Sequence, residues 1–307
     1  MRRQWRLMRK SGRQLFAGPY LIWIIGFILL PLAMIIYYAF TTSGGTFTFE
    51  NVAAIADPVH VRSILLSLKL GIICTIVCLL LAYPLAMILN GLKIKQQNFV
   101  VFIFILPMWM NFMLRILAWR LLLSNNGIVN ALFQFFGFGT VKMLNTQTAV
   151  VFGMVYDFLP FMILPIYNSM ARIKNDVIEA AKDLGASDAI ILFKIIIPLT
   201  LSGIISGIIM VFVPALTSFV ISDLLGGGKV LLIGNVIEQE FMQGTNWNLG
   251  SGLSLVLMVF ILISMALIAK YDKNGEGSTF KGVRSHRISG VSCRTSTWCS
   301  SWCYCTR

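Results

Sequence analysis

Charged residues are scarce in this chain. Asp, Glu, Lys and Arg together make up 12% of its 307 residues, and histidine occurs only twice. An ordinary soluble domain has about 25% charged residues, so the composition excludes that class. Hydrophobic residues account for 57% of the chain and the mean hydropathy is +0.82. These values predict a protein that is embedded in a lipid bilayer.

The sequence also lacks the motifs of common membrane enzymes and nucleotide-binding proteins. His60 and His286 form no paired metal-ligand motif, and there is no nucleophile elbow of the Gly-x-Ser-x-Gly type. Lys229 follows two glycines, but the upstream glycine spacing of a phosphate loop is absent. A membrane enzyme therefore fits least, and we expect this chain to bind no metal and no cofactor of its own.

The chain has six cysteines, and a disulfide framework is disfavoured if the tail that holds four of them is cytoplasmic. Cys74 and Cys78 lie one helical turn apart in an apolar run, a pattern typical of small packing residues. Four more, at positions 293, 299, 303 and 305, lack the paired two-residue gap of a structural zinc site. The composition turns polar near Asn274, and we expect the tail 273–307 to be disordered and its deletion to leave the activity of the protein intact.

Long apolar runs dominate the rest of the chain. A helix needs about 20 apolar residues to cross a hydrocarbon core of about 30 Å. Six runs reach that length: Tyr20–Phe40, Ile64–Leu89, Phe99–Leu123, Thr148–Met170, Leu201–Leu225 and Leu249–Ala269. The alternation of a membrane β-barrel is missing. We predict an all-α polytopic membrane protein with six transmembrane helices in residues 19–272, preceded by a basic segment, 1–18.

The basic residues predict the orientation of this bundle. The formal net charge of +13 would suggest a nucleic-acid partner for a soluble protein, but its distribution argues for a membrane. Lys and Arg are concentrated before span one, between spans two and three, between spans four and five, and after span six, whereas the opposite loops carry one each. By the positive-inside rule, we expect both termini to lie in the cytoplasm.

Proline and glycine recur inside the predicted spans. Proline kinks helices, and broken helices are typical of transporters, although neighbouring helices also tolerate single kinks. The prolines are Pro31, Pro84, Pro107, Pro160, Pro165 and Pro214. Gly203 and Gly207 form a small-residue face on span five. That face serves either a subunit interface or packing within the chain, and the sequence leaves both open.

A polar segment, residues 171–198, separates spans four and five. Asp176 is predicted to cap a short helix, with Glu179 completing a capping box, and Gly185 to end it because glycine tolerates positive φ. Ser187 is predicted to cap a second helix that runs to Pro198. Spacing alone fits two interpretations equally, a docking knob for a partner protein or a surface connector.

The residues Glu179-Ala-Ala, Gly185, Ile195 and Pro198 resemble the signature loop of the permease subunits of binding-protein-dependent ABC importers. The resemblance extends over roughly residues 15–272. Further stretches resemble the permeases of spermidine/putrescine importers: Leu106-Pro-Met-Trp-Met-Asn111 with Arg115, Leu159-Pro-Phe-Met-Ile-Leu-Pro165, Asp183-Leu-Gly-Ala-Ser187, Val220-Ile-Ser-Asp-Leu-Leu-Gly-Gly227 and Leu232-Ile-Gly-Asn235. The one departure in the loop is Ile197, where the family often has leucine.

This resemblance implies a type I ABC importer permease fold, a multi-pass location in the plasma membrane of a bacterial cell, and a set of partners. It places Glu179, Ala180, Ala181 and Gly185 on a helix that docks into a cleft of an ATPase. The implied partners are a homologous second permease, a dimer of ATP-binding subunits and an extracytoplasmic polyamine-binding protein. ATP and Mg²⁺ would be bound by the ATPase partner, and no nucleic acid is involved.

Two charges fall within the predicted membrane. An ionised carboxylate such as Asp157, near the middle of span four, costs about 2.5–3.5 kcal/mol there even on the lenient scale. Counted from the span ends at 1.5 Å per residue, Asp157 and Arg115 both lie roughly 12–14 Å deep. We therefore predict an ion pair between them. The alternative is that Asp157 faces the transport path and attracts a cationic polyamine.

Four other residues are candidates for that path. Asp223, near the outer end of span five, is a suitable position for a cation, and Trp109, Tyr156 and Phe219 offer aromatic faces to ammonium groups. Each aromatic side chain also fits the ordinary alternative of lipid contact or core packing.

A different class of function also fits part of the sequence. Broken helices and Asp157 suit a self-sufficient secondary transporter or channel for a small cation. The polar segment between spans four and five and the absence of an evident internal repeat do not. The sequence does not distinguish spermidine from putrescine as the preferred substrate.

Overall fold

The structure is a computed structural model, and it describes residues 20, 22–42, 44–91, 102, 106–137, 139–242 and 246–271. The predicted basic segment 1–18 and the predicted tail 273–307 lie outside the described residues. Within the described part the regular secondary structure is helical, and an isolated antiparallel bridge joins Thr41 to Phe47.

Thirteen α-helices occur in the described part, and they are numbered here in chain order. The first seven are α1 (Leu30–Ala39), α2 (Glu50–Ala53), α3 (Pro58–Gly91), α4 (Phe112–Leu122), α5 (Ile128–Phe135), α6 (Gln147–Met170) and α7 (Asn175–Asp183). The others are α8 (Asp188–Ile191), α9 (Ile197–Leu199), α10 (Leu201–Thr217), α11 (Val220–Gly226), α12 (Ile233–Met242) and α13 (Trp247–Tyr271). Turns of π-helix at Ile25–Leu29 and Leu192–Ile196 precede α1 and α9.

Four helices in the described part are long and apolar enough to cross a membrane. They are Ile22–Ala39, Pro58–Gly91, Gln147–Met170 and Trp247–Ile268. A fifth span results if Asp188–Leu199 and Leu201–Thr217, which meet at an angle of 64°, are counted as one. The structure therefore supports four or five of the six predicted spans, and predicted spans two, four and six correspond to α3, α6 and α13.

Predicted spans three and five are interrupted. Within predicted span three, residues 106–122 form a 3₁₀ turn, Leu106–Trp109, followed by the separate helix α4. The 11 residues of α4 extend about 16 Å, which is too short to cross a membrane. Span five stops at Thr217 and resumes as α11 after two non-helical residues, Ser218 and Phe219.

The core of the bundle is the mutual packing of α3, α6 and α10. Helix α3 contributes a stripe of small residues at every fourth position, all with an exposed fraction of 0%: Cys74, Cys78, Ala82 and Ala86. Met154, Met162 and Ile166 of α6 are equally buried. Small side chains on α3 let α6 approach closely, and the long side chains of α6 fill the space between.

The glycine face of α10 packs inside the chain. A Cβ atom at Gly203 would lie 2.5 Å from Cβ of Ser169 and 2.6 Å from the carbonyl oxygen of Pro165, and one at Gly207 would lie 2.7 Å from Sδ of Met162. All three neighbours belong to α6. Of the two interpretations left open by the sequence, internal helix packing is the one that the structure shows.

The two ends of the bundle carry different segments. One end holds residues 171–200, which we call the elbow, and residues 44–57 and 227–242 lie at the opposite end. Gly203 approaches Ser169 beside the elbow, whereas Gly226 approaches Val150 near the start of α6. Gly250, near the start of α13, approaches Phe241 of α12, and Gly252 approaches Asn51. Helices α1 and α13 pair at the periphery.

Candidate functional site

The first half of the elbow is the amphipathic helix α7, which begins after Lys174. Asp176 was predicted to be its cap, and this prediction is wrong, because Lys174 is the capping residue and makes no side-chain hydrogen bond. Asp176 instead lies in the first turn. A carboxylate there interacts favourably with the positive end of the helix dipole, so the acid stabilises the same terminus by a different route.

Helix α7 ends in a Schellman motif at Gly185. The amide of Gly185 donates to the carbonyl of Lys182 (2.9 Å), and the amide of Ala186 donates to the carbonyl of Ala181 (3.1 Å). Gly185 has φ of +79°, a left-handed conformation that glycine adopts without the steric cost paid by other residues. The predicted glycine stop is confirmed. It fixes a sharp corner between the two halves of the elbow.

The second half of the elbow begins at Ser187, whose side-chain oxygen accepts a hydrogen bond from the amide of Ile190 (3.5 Å), as predicted. After α8, the chain forms the π-helical turn Leu192–Ile196, and Pro198 follows within α9. Proline has no amide hydrogen and therefore favours such irregular hydrogen bonding. The elbow thus runs into α10 through a bent connection rather than a straight helix.

Thr200 lies at the bend between α9 and α10. Its side chain is fully buried, and its Oγ1 donates to the carbonyl of Ile196 (2.9 Å). The hydroxyl of Tyr83, on α3, lies 3.4 Å from the same Oγ1. The elbow is therefore in contact with the core helix α3 as well as with the span that it precedes.

The elbow presents an apolar surface to its surroundings. Val177, Leu184, Ile190 and Phe193 have exposed fractions of 42%, 88%, 45% and 67%. Of the residues named from the family signature, Glu179, Ala180, Gly185 and Pro198 are exposed, Ile195 is half-buried and Ala181 is buried against the rest of the elbow. Exposed apolar side chains of this kind are typical of surfaces that contact another protein or a membrane.

The structure brings Arg115 and Asp157 into direct contact. A guanidinium nitrogen of Arg115, on α4, donates to Oδ1 of Asp157, on α6. The exposed fractions of the two side chains are 11% and 5%. Each charge is therefore neutralised by the other at a depth where neither is well solvated.

One aromatic ring lies beside this ion pair, and two others pack next to that ring. The ring centroid of Tyr156 lies 5.9 Å from Cζ of Arg115, and Trp119 packs edge-on against Tyr156 (5.0 Å) and Phe152 (4.7 Å). Sequence reasoning missed Trp119. Its spacing is the signal that would have found it, because Trp119 lies one helical turn after Arg115 on the same helix face.

The remaining predicted path residues lie elsewhere. Trp109 is 78% exposed, and the centroid of its ring lies 6.2 Å from the ring centroid of Phe102. Phe219 lies in the break before α11, and Asp223 lies on α11. The carboxylate of Asp223 accepts a hydrogen bond from the buried side-chain amide of Asn235 (2.6 Å). The structure thus groups Tyr156 with the ion pair and Phe219 with Asp223, while Trp109 shares no ring contact with either group in the described part.

No cluster of three metal-ligating side chains occurs among the residues that the structure describes. A polar cavity of about 270 Å³ near the elbow lies between α6 and α10 and is lined by residues that include Asn168, Ser169, Ser202 and Ser206. These are hydroxyl and amide groups suited to hydrogen bonding. They form no constellation of nucleophile and general base.

Comparison with known families gives a match over most of the chain. The family model described as "Binding-protein-dependent transport system inner membrane component" matches residues 82–273. That region includes the elbow, both partners of the ion pair and α11.

Two curated relatives share 38% of their residues with this chain. The spermidine/putrescine transport system permease protein PotB of Haemophilus influenzae is similar over 260 residues, 82% of this chain and 90% of the relative. PotB of Escherichia coli K12 is similar over 245 residues, 77% and 89% of the two chains. These relatives match almost their whole lengths.

A solved structure with the same fold is that of a bacterial alginate ABC transporter in complex with an alginate pentasaccharide-bound periplasmic protein. The similarity has a TM-score of 0.74 and covers 88% of this chain and 96% of that one. The sequence identity is 17%, so the likeness concerns the fold alone.

Proposed function

The chain belongs to the family of inner membrane components of binding-protein-dependent transport systems, and from that membership we propose that it is the permease subunit of an ATP-driven polyamine importer. The observation that carries the proposal is 38% identity to spermidine/putrescine permeases over most of both chains. The subunit corresponds to the B permease of such systems. Its substrates are spermidine and putrescine.

Coupling to ATP hydrolysis is assigned to the elbow. Helix α7 would dock into a cleft of a partner ATPase, with Glu179, Ala180 and the corner at Gly185 on the docking surface. The exposed apolar side chains of Leu184 and Phe193 support this role, since a partner is needed to cover them. The bend of 64° at Thr200 and the contact of Thr200 with Tyr83 would carry movement of the elbow into α10 and α3.

The chain itself performs no hydrolysis under this proposal. ATP and Mg²⁺ would be held by a dimer of ATP-binding subunits, and the permease contributes the path and the lever. The complete importer would include a homologous second permease and an extracytoplasmic polyamine-binding protein. The exposed apolar surfaces of α1 and α13 are available for lipid and for the second permease.

The membrane topology follows the family fold. We assign six crossings, with the interrupted spans three and five completed by α4 and α11 together with their preceding segments. Both termini and the elbow would lie in the cytoplasm, and the end of the bundle with residues 44–57 and 227–242 would face the outside. The positive-inside distribution of Lys and Arg supports this orientation.

The candidate substrate path combines acidic and aromatic groups. Asp223 and Phe219 lie on an exposed face at the predicted outer end, and Trp109 is exposed on the turn before α4. Asp157 is in contact with Arg115, which supports a structural role for this carboxylate over direct attraction of the substrate. Tyr156 lies beside that pair and would border the path.

Reconstitution tests the function as a whole. The chain is coexpressed with a homologous second permease and an ATP-binding subunit, purified, and placed in liposomes with a polyamine-binding protein and labelled spermidine. We expect the ATPase to copurify, and uptake to require MgATP and every subunit. Uptake by this chain alone, without ATP, would instead establish a secondary transporter or channel.

A further inference from the structure

The break in predicted span five is organised by one buried amide, that of Asn235 in the first turn of α12. The side chain of Asn235 has an exposed fraction of 0%. Its Nδ2 donates to the carbonyl of Phe219 (3.1 Å) and to Oδ1 of Asp223 (2.6 Å), and its Oδ1 accepts from the amide of Leu232 (3.1 Å). One amide thus ties together the break, α11 and the start of α12.

A glycine makes this approach possible. A Cβ atom at Gly234 would lie 2.7 Å from the carbonyl oxygen of Thr217, the last residue of α10. Only a residue without a side chain lets the start of α12 seat against the end of α10. The seating brings Asn235 to the carboxylate of Asp223, 12 positions earlier in the chain.

The hydrogen bond between Asn235 and Asp223 is not needed to satisfy the backbone. The other two hydrogen bonds of Asn235 already satisfy the carbonyl of Phe219, in the break, and the amide of Leu232, just before α12. Asp223 is exposed, and water alone would solvate its carboxylate. The third bond therefore orients a charge that did not need a partner for its stability. Within the described part of the chain, no lysine or arginine lies within ion-pair distance of that carboxylate.

An aromatic ring accompanies the oriented carboxylate. Phe219, the N-cap residue of α11, and Asp223 are four residues apart, and the amide of Asp223 donates to the carbonyl of Phe219 (2.9 Å), a spacing of one helical turn that places both residues on the exposed side of this segment. The ring of Phe219 is 39% exposed. The other face is buried through Ile221, Ser222 and Leu225. A carboxylate beside an aromatic face is a combination that binds ammonium groups.

We propose that Asn235 is a positioning residue, which holds the carboxylate of Asp223 beside the ring of Phe219 as a recognition point for one ammonium group of the transported amine. The proposal rests on the proposed function and adds a specificity-determining site to it. The site lies at the end of the bundle opposite the elbow. There it would receive the amine as the binding protein releases it.

The first test is Asp223→Asn in the reconstituted complex. Asparagine keeps an oxygen that accepts from Asn235 and removes only the charge. At saturating spermidine-loaded binding protein, we expect spermidine taken up per ATP hydrolysed to fall roughly tenfold, because a hydrogen bond to a charged acceptor is about twice as strong as a neutral one. The matched control is Asp57→Asn, an exposed carboxylate at the same end, which should leave this ratio unchanged.

The second test exchanges the two side chains, combining Asp223→Asn with Asn235→Asp. The exchange keeps a hydrogen bond between positions 223 and 235, but it moves the charge to the buried position and removes the donor to the carbonyl of Phe219, so folding of the variant is first checked by its yield and its copurification with the ATPase. We expect uptake per ATP to stay as low as in the single Asp223→Asn variant. Recovery to the wild-type ratio would show that the bond only holds the break together, and would overturn the proposal.

The outcomes separate this site from the function itself. If the wild-type complex takes up neither spermidine nor putrescine, the proposed function fails. If wild-type uptake is normal and Asp223→Asn matches it, or if Asp57→Asn causes an equal loss, the role of Asp223 and Asn235 is refuted while the importer remains.

Discussion

The guanidinium of Arg115, on α4, is in contact with the carboxylate of Asp157, on α6, although the two residues are 42 positions apart in the chain. Both side chains are almost completely removed from solvent. A buried pair of this kind stabilises little relative to an apolar pair, but removal of one partner leaves an uncompensated charge. This relationship gives the first prediction.

Asp157→Asn should destabilise the assembled protein by about 3–5 kcal/mol, because Arg115 is then buried without its counter-charge. The measurement is thermal unfolding of the purified complex. The double variant Arg115→Gln with Asp157→Asn should be more stable than Asp157→Asn alone. If Asp157→Asn leaves stability intact and instead weakens uptake of the amine, Asp157 belongs to the transport path.

Gly185→Ala should uncouple the importer. The left-handed φ of +79° costs an L-residue about 1–2 kcal/mol, so the corner of the elbow relaxes and its two halves change their relative orientation. We expect insertion in the membrane to be normal and ATP-driven uptake to fall several-fold. Gly91→Ala is the control, since a Cβ atom there has no neighbour within 4 Å. Unimpaired uptake by Gly185→Ala would show that the corner needs no fixed geometry.

Leu184→Asp should weaken binding of the ATPase. A leucine that is 88% exposed in the free subunit gains about 1.5–3 kcal/mol when a partner covers it, which corresponds to roughly a 10- to 100-fold change in dissociation constant. Copurification of tagged ATPase measures the loss. Phe136→Asp, at a residue that is 66% exposed on a loop far from the elbow in sequence, serves as the comparison. Equal copurification of both variants with the ATPase would remove Leu184 from the docking surface.

Gly203→Val should destabilise this subunit even without its partners. The Cβ atom of the added side chain would lie 2.5 Å from Cβ of Ser169 and 2.6 Å from the carbonyl oxygen of Pro165, both much closer than van der Waals contact. Overpacking of this kind typically costs about 1–3 kcal/mol. The yield of folded, detergent-soluble chain reports the effect. Gly26→Val, where a Cβ atom meets nothing within 4 Å, should keep the wild-type yield. A loss that appears only in the presence of the second permease would place Gly203 at a subunit interface.

The parts of the fold set by local chemistry were predictable from the sequence. Hydropathy located α3, α6 and α13, and the corner at Gly185 and the cap at Ser187 followed from the preferences of glycine and serine. Helix α3 begins at Pro58, six residues before the predicted start. Its first turn contains polar residues that hydropathy excludes, although proline suits the first position of a helix.

The interruptions of spans three and five needed information that hydropathy does not contain. Asn111 starts a new helix by accepting hydrogen bonds from the amides of Met113 (2.9 Å) and Leu114 (3.3 Å), in the middle of an apolar run. The break after Thr217 is held by Asn235, a tertiary contact. The depth argument for Arg115 and Asp157 succeeded because helix rise is constant, whereas the position of Trp119 beside Tyr156 depends on how two helices rotate against each other.

The most direct test of the central claim is ATP-dependent protection of the elbow. Leu184→Cys is introduced after Cys293, Cys299, Cys303 and Cys305 are replaced by serine, and Cys74 and Cys78 are retained because they are fully buried. A membrane-impermeant maleimide is applied to inside-out vesicles that contain the chain with or without its ATPase. We expect rapid labelling of the chain alone, and protection when the ATPase is bound, with the degree of protection changing on addition of MgATP. Labelling only from the opposite membrane face, or labelling that the ATPase does not affect, would contradict the account.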